Sequence, residues 1–175
     1  MVLFGFEDKI PKIGEKTFIA KSAEVIGDVI IGNNCYIGFG AKIRGDYGSI
    51  QIGNHTSIQE NCIIHAQVNQ RCQIGNNVTI GHGAIIHGSM ISNNIIIGMG
   101  AIIGDYAIIG EYSLIGAGTL VRENQVIEAH SLAVGVPAKV IRQVSTENQQ
   151  QILSSVDVYT QMASRYISGL KELRE

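Results

Sequence analysis

From Ile13 onward, large aliphatic residues return every six positions, at Ile13, Ile19, Val25, Ile31, Ile37 and Ile43. The series resumes at Ile52, Ile58 and Ile64, and again at Ile74, Ile80 and Ile86. A last set runs through Ile91, Ile97, Ile103, Ile109 and Ile115 to Val121. A period of six fits neither an amphipathic helix nor a simple hairpin. It fits short strands that turn corners and stack on themselves, about 4.8 Å from coil to coil. The second block residue is commonly Gly, as at Gly32, Gly38, Gly53, Gly75 and Gly98. The fifth is small or β-branched, as at Cys35, Ala41, Thr56, Cys62, Ala84 and Ala101. The large first residue and the small fifth can both point inward, while glycine admits the sharp corners.

The pattern predicts an all-β fold class, a left-handed parallel β-helix of hexapeptide repeats, over residues 1–144. Three blocks make one triangular coil, so about eighteen blocks give about six coils. With 175 residues, 21 of them Gly and no Trp, the chain suits one tightly wound domain and not an aromatic-rich core. After Val121 the pattern dissolves, and Gly135-Val136-Pro137-Ala138 marks a turn out of the ladder. Thr146 followed by Gln149 reads as a capping box. Ile152, Val156, Tyr159, Ala163, Tyr166, Leu170 and Leu173 then recur at helical spacing. The expectation for residues 145–175 is a closing helix, from about Glu147 to Lys171, packed on the ladder.

Other features exclude function classes. A net charge of -2 gives no basic footprint, so no nucleic acid is expected as a partner. No run approaches the ~18 apolar residues needed to span a bilayer, so no membrane is expected either. The opening residues carry no basic leader or cleavage site, and the three cysteines, an odd number, make no disulfide framework. A cytoplasmic location with reduced thiols is expected. Cys35 and Cys62 fall on small inward positions, and Cys72 on a loop.

The ladder is irregular in three places: extra residues around Tyr47-Gly48-Ser49, extra residues from about Ala66 to Gln73, and one residue too few between Ile86 and Ile91. Three of the five histidines, His65, His82 and His87, stand beside these irregularities. Ile64 and Ile86 open blocks three apart, so His65 and His87, second in each, should stack about 5 Å apart in successive coils. Arg44 holds the same position one coil earlier. His82 belongs to another side of the triangle, above Gln59 and Glu60. A rigid prism cannot bring it to the stacked pair within one chain, but a neighbouring copy can. The spacing predicts an intersubunit metal site, with His65 and His87 from one chain and His82 from the next. Such a contact closes into a ring, most naturally a homotrimer. Three imidazoles with an open position suit catalytic Zn2+, and Fe2+ or Co2+ equally accept imidazole. His55, at a polar corner, and His130, in the irregular tail, read as solvated surface residues.

At Arg44-Gly45-Asp46, Ile58-Gln59-Glu60, His65 and the run from Gly81 to Gly88, the chain resembles the γ-class carbonic anhydrase family of left-handed β-helices. The resemblance extends from about Ile13 to Arg142. It implies a homotrimer with metal ligands His65, His82 and His87, and Gln59 bonded to metal-bound water. It also implies an Arg44–Asp46 ion pair at the subunit contact and Tyr159 placed over the pocket from the closing helix. The implied reaction is hydration of carbon dioxide to bicarbonate by water acidified toward a pKa of ~7. The most active members of that family carry acidic proton carriers beside the site. Here Tyr47 follows Asp46, the loop from Ala66 to Gln73 holds no carboxylate, and Glu60 is the nearest substitute. The Arg44-to-Gly48 run also resembles a subgroup encoded with carnitine or aromatic-acid metabolism, some of them thioesterases. The alternatives are a hexapeptide acyltransferase or acyl-CoA thioesterase, or a metal-binding trimer without turnover. A plain acyltransferase needs one basic histidine and a groove for CoA.

Overall fold

The computed structural model describes residues 2–173. The repeat builds a left-handed parallel β-helix, mostly β, with a single C-terminal helix. One face stacks Phe18–Ile19, Tyr36–Ile37, Ser57–Ile58, Val78–Ile80, Ile95–Ile97, Leu114–Ile115 and Ser131–Val134, all parallel. That is seven coils, where the repeat count predicts about six. The pattern does not dissolve at Val121. Val126–Ile127 and Ser131–Val134 still pair with the coil beneath, and Ile127 and Ala133 are buried at the same spacing. Only the glycine marker is lost there, to Arg122, Glu128 and Val134. Lys139–Gln143 then runs antiparallel to Ser131–Val134.

The other two faces form one continuous sheet, because the long strands Glu24–Ile31 and Lys42–Ile52 bend round the corner between them. The extra residues at Tyr47 are absorbed inside Lys42–Ile52, where the register passes from Gly27↔Gly45 to Val29↔Ile50. Part of the second expected loop is likewise strand. Arg71–Ile74 pairs with Ser49–Ile52, and Cys72 is fully buried in it rather than lying in a loop. The interior is a column of isoleucines, among them Ile37, Ile43, Ile58, Ile64, Ile80 and Ile86, none measurably exposed. One corner is tied by an asparagine ladder. Asn54 Oδ1 accepts from the Asn33 amide and Asn76 Oδ1 from the Asn54 amide, each at 2.8 Å.

The helix spans Thr146–Gly169. Its capping box is Ser145 with Asn148, one residue before the pair read from the sequence, since the Ser145 hydroxyl accepts from the Asn148 amide. Ile152, Val156 and Ala163 are buried, whereas Leu170 and Leu173 lie beyond the helix and are exposed. It packs on the first face, with Tyr159 and Tyr166 against Tyr36, Tyr166 also against Phe18. Among the described residues, no helix is long and apolar enough to cross a membrane.

Candidate functional site

Pairing fixes the first group of side chains. Arg44 registers with His65, and His65 with His87, so the three project from one edge of the prism in successive coils. The two imidazole centroids are 5.0 Å apart, and His65 Nδ1 lies 3.0 Å from His87 Nε2. Each ring is tied through its other nitrogen to a carboxylate. His65 Nε2 is 3.2 Å from Asp46 Oδ1, and His87 Nδ1 is 2.6 Å from Asp105 Oδ1. Asp46 in turn accepts from Arg44 and from the Tyr47 amide, and Asp105 from Gln67 Nε2 at 2.9 Å. A cavity of about 460 Å³ opens over this group, lined by Lys42, Arg44, Ile63, His65 and His87.

The electrostatics follow from those contacts. Burial pushes the Asp46 carboxyl up, but hydrogen bonds from Arg44, Tyr47 and His65 outweigh it and hold it below the ordinary value. Burial likewise raises Asp105, and the bonds from His87 and Gln67 hold it low. Burial depresses His65, with the charges of Arg44 and His87 adding to the effect and Asp46 opposing it.

These ties test whether the residues fit a metal ion. A carboxylate only accepts, so His65 Nε2 and His87 Nδ1 must carry the protons. In neutral rings, His65 Nδ1 and His87 Nε2 then turn lone pairs toward each other at 3.0 Å. That arrangement calls for a positive species between the two nitrogens, a proton or a cation. Two convergent imidazole nitrogens, each ring held by a carboxylate behind it, are a donor set that suits a divalent transition-metal ion. The residues fit.

The second group sits on the helix-covered side. The His82 amide donates to Gln59 Oε1 at 3.1 Å, and His82 Nδ1 is 2.7 Å from Glu60 Oε2. Gln59 is buried, and the His82 ring is about half exposed. Gln59, Thr79, Gly81, Met99 and Tyr159 line a groove of about 380 Å³ between prism and helix. Tyr159 is half-buried against Tyr36, and burial and the Glu60 charge hold its phenol above the ordinary value. Among the described residues, no three His, Cys, Asp or Glu side chains of a single chain converge on a point a metal could occupy. The expected ligands therefore fall into two separate groups on one chain. His55 is exposed at a left-handed corner, and His130, also exposed, stacks on Tyr112 at 5.3 Å.

The expectation of no carboxylate beside the histidine pair needs correction, because Asp105 is there. It stands third in the block opened by Ile103, which registers with Ile86 one coil below. Coil counting could have found it; a search of the loops could not. Gln67 and Gln70 were also missed. Gln70 is buried, and its Nε2 donates to the Gly88 carbonyl at 2.7 Å. Gly88 has φ +47°, where a side chain is strained, and a Cβ there would displace the Gln70 amide from its place.

Residues 10–45 match the family model described as bacterial transferase hexapeptide (six repeats). The carnitine operon protein CaiE of Salmonella newport is 37% identical over 174 residues, 99% of this chain and 88% of that protein. The chain belongs to the hexapeptide-repeat family, in the CaiE group. Two solved structures share its fold along nearly the whole length. The product of the BC4754 gene of Bacillus cereus, which carries the provisional name of acetyltransferase, has a TM-score of 0.94 at 36% identity, covering 95% of this chain and 97% of its own. A hexapeptide transferase family protein from Anaplasma phagocytophilum has a TM-score of 0.91 at 35% identity, covering 94% and 98%.

Proposed function

We propose that this chain is an acyl-group enzyme that acts on a small acyl thioester at a metal-dependent site shared between copies. The observation that carries the reading is the facing of His65 Nδ1 and His87 Nε2, each ring backed by its own carboxylate. The transferase names of the family and of its structural neighbours support acyl chemistry over carbon dioxide hydration. The paired imidazoles go beyond what a plain acyltransferase uses.

His65 and His87 of one copy and His82 of the next would hold the cation, Zn2+ or else Fe2+ or Co2+. A cation bound there would acidify water and polarise a carbonyl oxygen. The chain's own residues do the remaining work. Asp46 and Asp105 fix the tautomers of the pair, and Arg44 holds Asp46 in place. Gln59 anchors the backbone of His82, and Tyr159 walls the groove beside it. An outward column of Ile63, Ile85 and Ile102 on the histidine face, two of them over 40% exposed, supports a contact between copies there, as a ring of three would make.

The second reading is hydration of carbon dioxide at the same centre. It is favoured by Asp46 and Asp105, carboxylates beside the pair of the kind that reaction uses to move protons. Metal content and thiol release from an acyl-CoA panel, measured on anaerobically purified protein, test the proposal. Wild type is expected to carry metal and release thiol, and His82→Ala to lose both while keeping its assembly. Full metal content in His82→Ala would overturn the shared site. Carbon dioxide hydration without thiol release would transfer the conclusion to the second reading.

A further inference from the structure

We propose that the groove between prism and helix is the subsite for the acyl group of the thioester, and that it takes a straight aliphatic chain. The inference rests on reading the chain as an acyl-group enzyme and names the substrate class of that site. Register places Gln59, Gly81, Gly98, Gly116 and Val134 at one corner position in successive coils. The glycines serve the stacking of the corner, since a Cβ at Gly81 or Gly98 would strike the amide nitrogen of Met99 or Ala117 one coil up. They also leave a bare trough parallel to the prism axis. From Gly81 to Gly116 it runs about 10 Å at the usual coil spacing, the reach of an extended chain of about eight carbons. Below Gln59 the corner is filled, because the Tyr36 hydroxyl donates to Glu60 Oε1 at 2.7 Å over Gly38 and the Tyr159 ring packs on Tyr36. Above Gly116 stands the Val134 side chain.

The lining decides the chemistry. Ile96, Met99 and Leu114 supply apolar walls, and the helix adds Gln151, Ser155 and Tyr159, each one turn from the next. Among the described residues, no charged side chain lines the trough. The backbone groups of the floor are already engaged. The amides of Gly81, Gly98 and Gly116 donate to the carbonyls of Ile97, Ile115 and Ala133, and their own carbonyls accept from Ala84, Ala101 and Thr119. The Thr79 and Ser155 hydroxyls, 2.9 Å apart, bond to each other. The amides of a pantetheine arm would lose their hydrogen bonds to water here without replacement, whereas an alkyl chain gives up nothing. The lower end differs. Gln59 Oε1 accepts from the His82 amide, which leaves Nε2 as a donor for a thioester carbonyl. A chain anchored there extends up the trough, past Thr79 and Ser155, toward Leu114 and Gln151.

Titration calorimetry with S-alkyl-CoA thioethers, which cannot be hydrolysed, reads the subsite without turnover. Affinity in wild type is expected to rise about fourfold per methylene from S-butyl- to S-octyl-CoA, the value of burying one, and then to level off. Gln151 is exposed on the helix beside the far end, so Gln151→Trp should halt the rise at about six carbons and leave S-butyl-CoA binding unchanged. Leu114→Ala should lower S-octyl-CoA affinity about tenfold, again with S-butyl-CoA unchanged. Affinity independent of chain length in wild type overturns the proposal, and so does a rise that neither variant alters. A normal rise without thiol release from any acyl-CoA keeps the trough as a chain-binding site and overturns the acyl-group reaction instead.

Discussion

His87 and Asp105 stand on neighbouring coils, eighteen residues apart in sequence, and meet at 2.6 Å between Nδ1 and Oδ1. The contact leaves His87 Nε2 aimed at His65 Nδ1, so a carboxylate one coil up orients the imidazole pair. Asp105→Ala should lower cobalt or zinc affinity about 10- to 100-fold, the usual cost of removing a ligand's orienting partner. Circular dichroism should be unchanged, because Asp105 is not part of the apolar core. Titration calorimetry on the apo protein reads the affinity, and a wild-type value would show that His87 is oriented by something else.

Acid should weaken the fold in two stages. The His65 pKa is depressed from its ordinary 6.5, so the ring binds fewer protons folded than unfolded. Its contribution is full above about 6.5 and is lost as pH falls through the lower folded value. Asp46 and Asp105, depressed from 3.8, have the same sign: their stabilisation is full above 3.8 and disappears below it. The urea midpoint of metal-free protein should drop gently below 6.5 and steeply below 3.8. Asp105→Asn should flatten the lower stage. An equally steep lower stage in that variant would remove Asp105 from the explanation.

Gly48 is buried where the chain passes beneath the turn at 67–70, and a Cβ there would come within 2.4 Å of the Gln70 carbonyl and 2.5 Å of that of Gln67. Both are backbone atoms, so relief requires moving the turn that carries Gln67 to Asp105. Gly48→Ala should cost about 1–3 kcal/mol in urea unfolding, the usual penalty of overpacking. A variant as stable as wild type would show that this turn yields easily.

Subunit complementation separates a shared site from one built within a chain. His65→Ala and His82→Ala proteins should each lack metal when made alone. Co-expressed in equal amounts, they should assemble rings in which roughly a quarter of the sites draw all three histidines from intact donors. Metal analysis of the purified mixture reads this directly. No recovery in mixed rings would mean that the half-sites of different copies do not meet.

The architecture was legible because one physical demand, a large side chain inward at each sixth residue, is written along the whole ladder. The coil count fell short because the reading leaned on glycine, which disappears after Val121, although Ile127 and Ala133 keep the inward spacing. The helix cap was misplaced by one residue, since Ser145 and Thr146 are both competent caps and only the backbone turn at Ser145 decides between them. The stacking of His65 on His87 follows from topology and could be counted out. The Tyr36–Glu60 contact could not, because it depends on side-chain reach around a corner for which no spacing rule exists.

The strand Lys139–Gln143 closes the seventh coil by running backwards along Ser131–Val134. A parallel solenoid has no inherent last rung, and its upper rim would accept the lower rim of another molecule as readily as another coil of its own. The reversed strand acts as a terminator: it offers a rim of opposite polarity, flanked by Lys139 and Arg142, on which a further parallel coil has no matching partner. On that one face, end-on addition of another solenoid is disfavoured by the reversed strand.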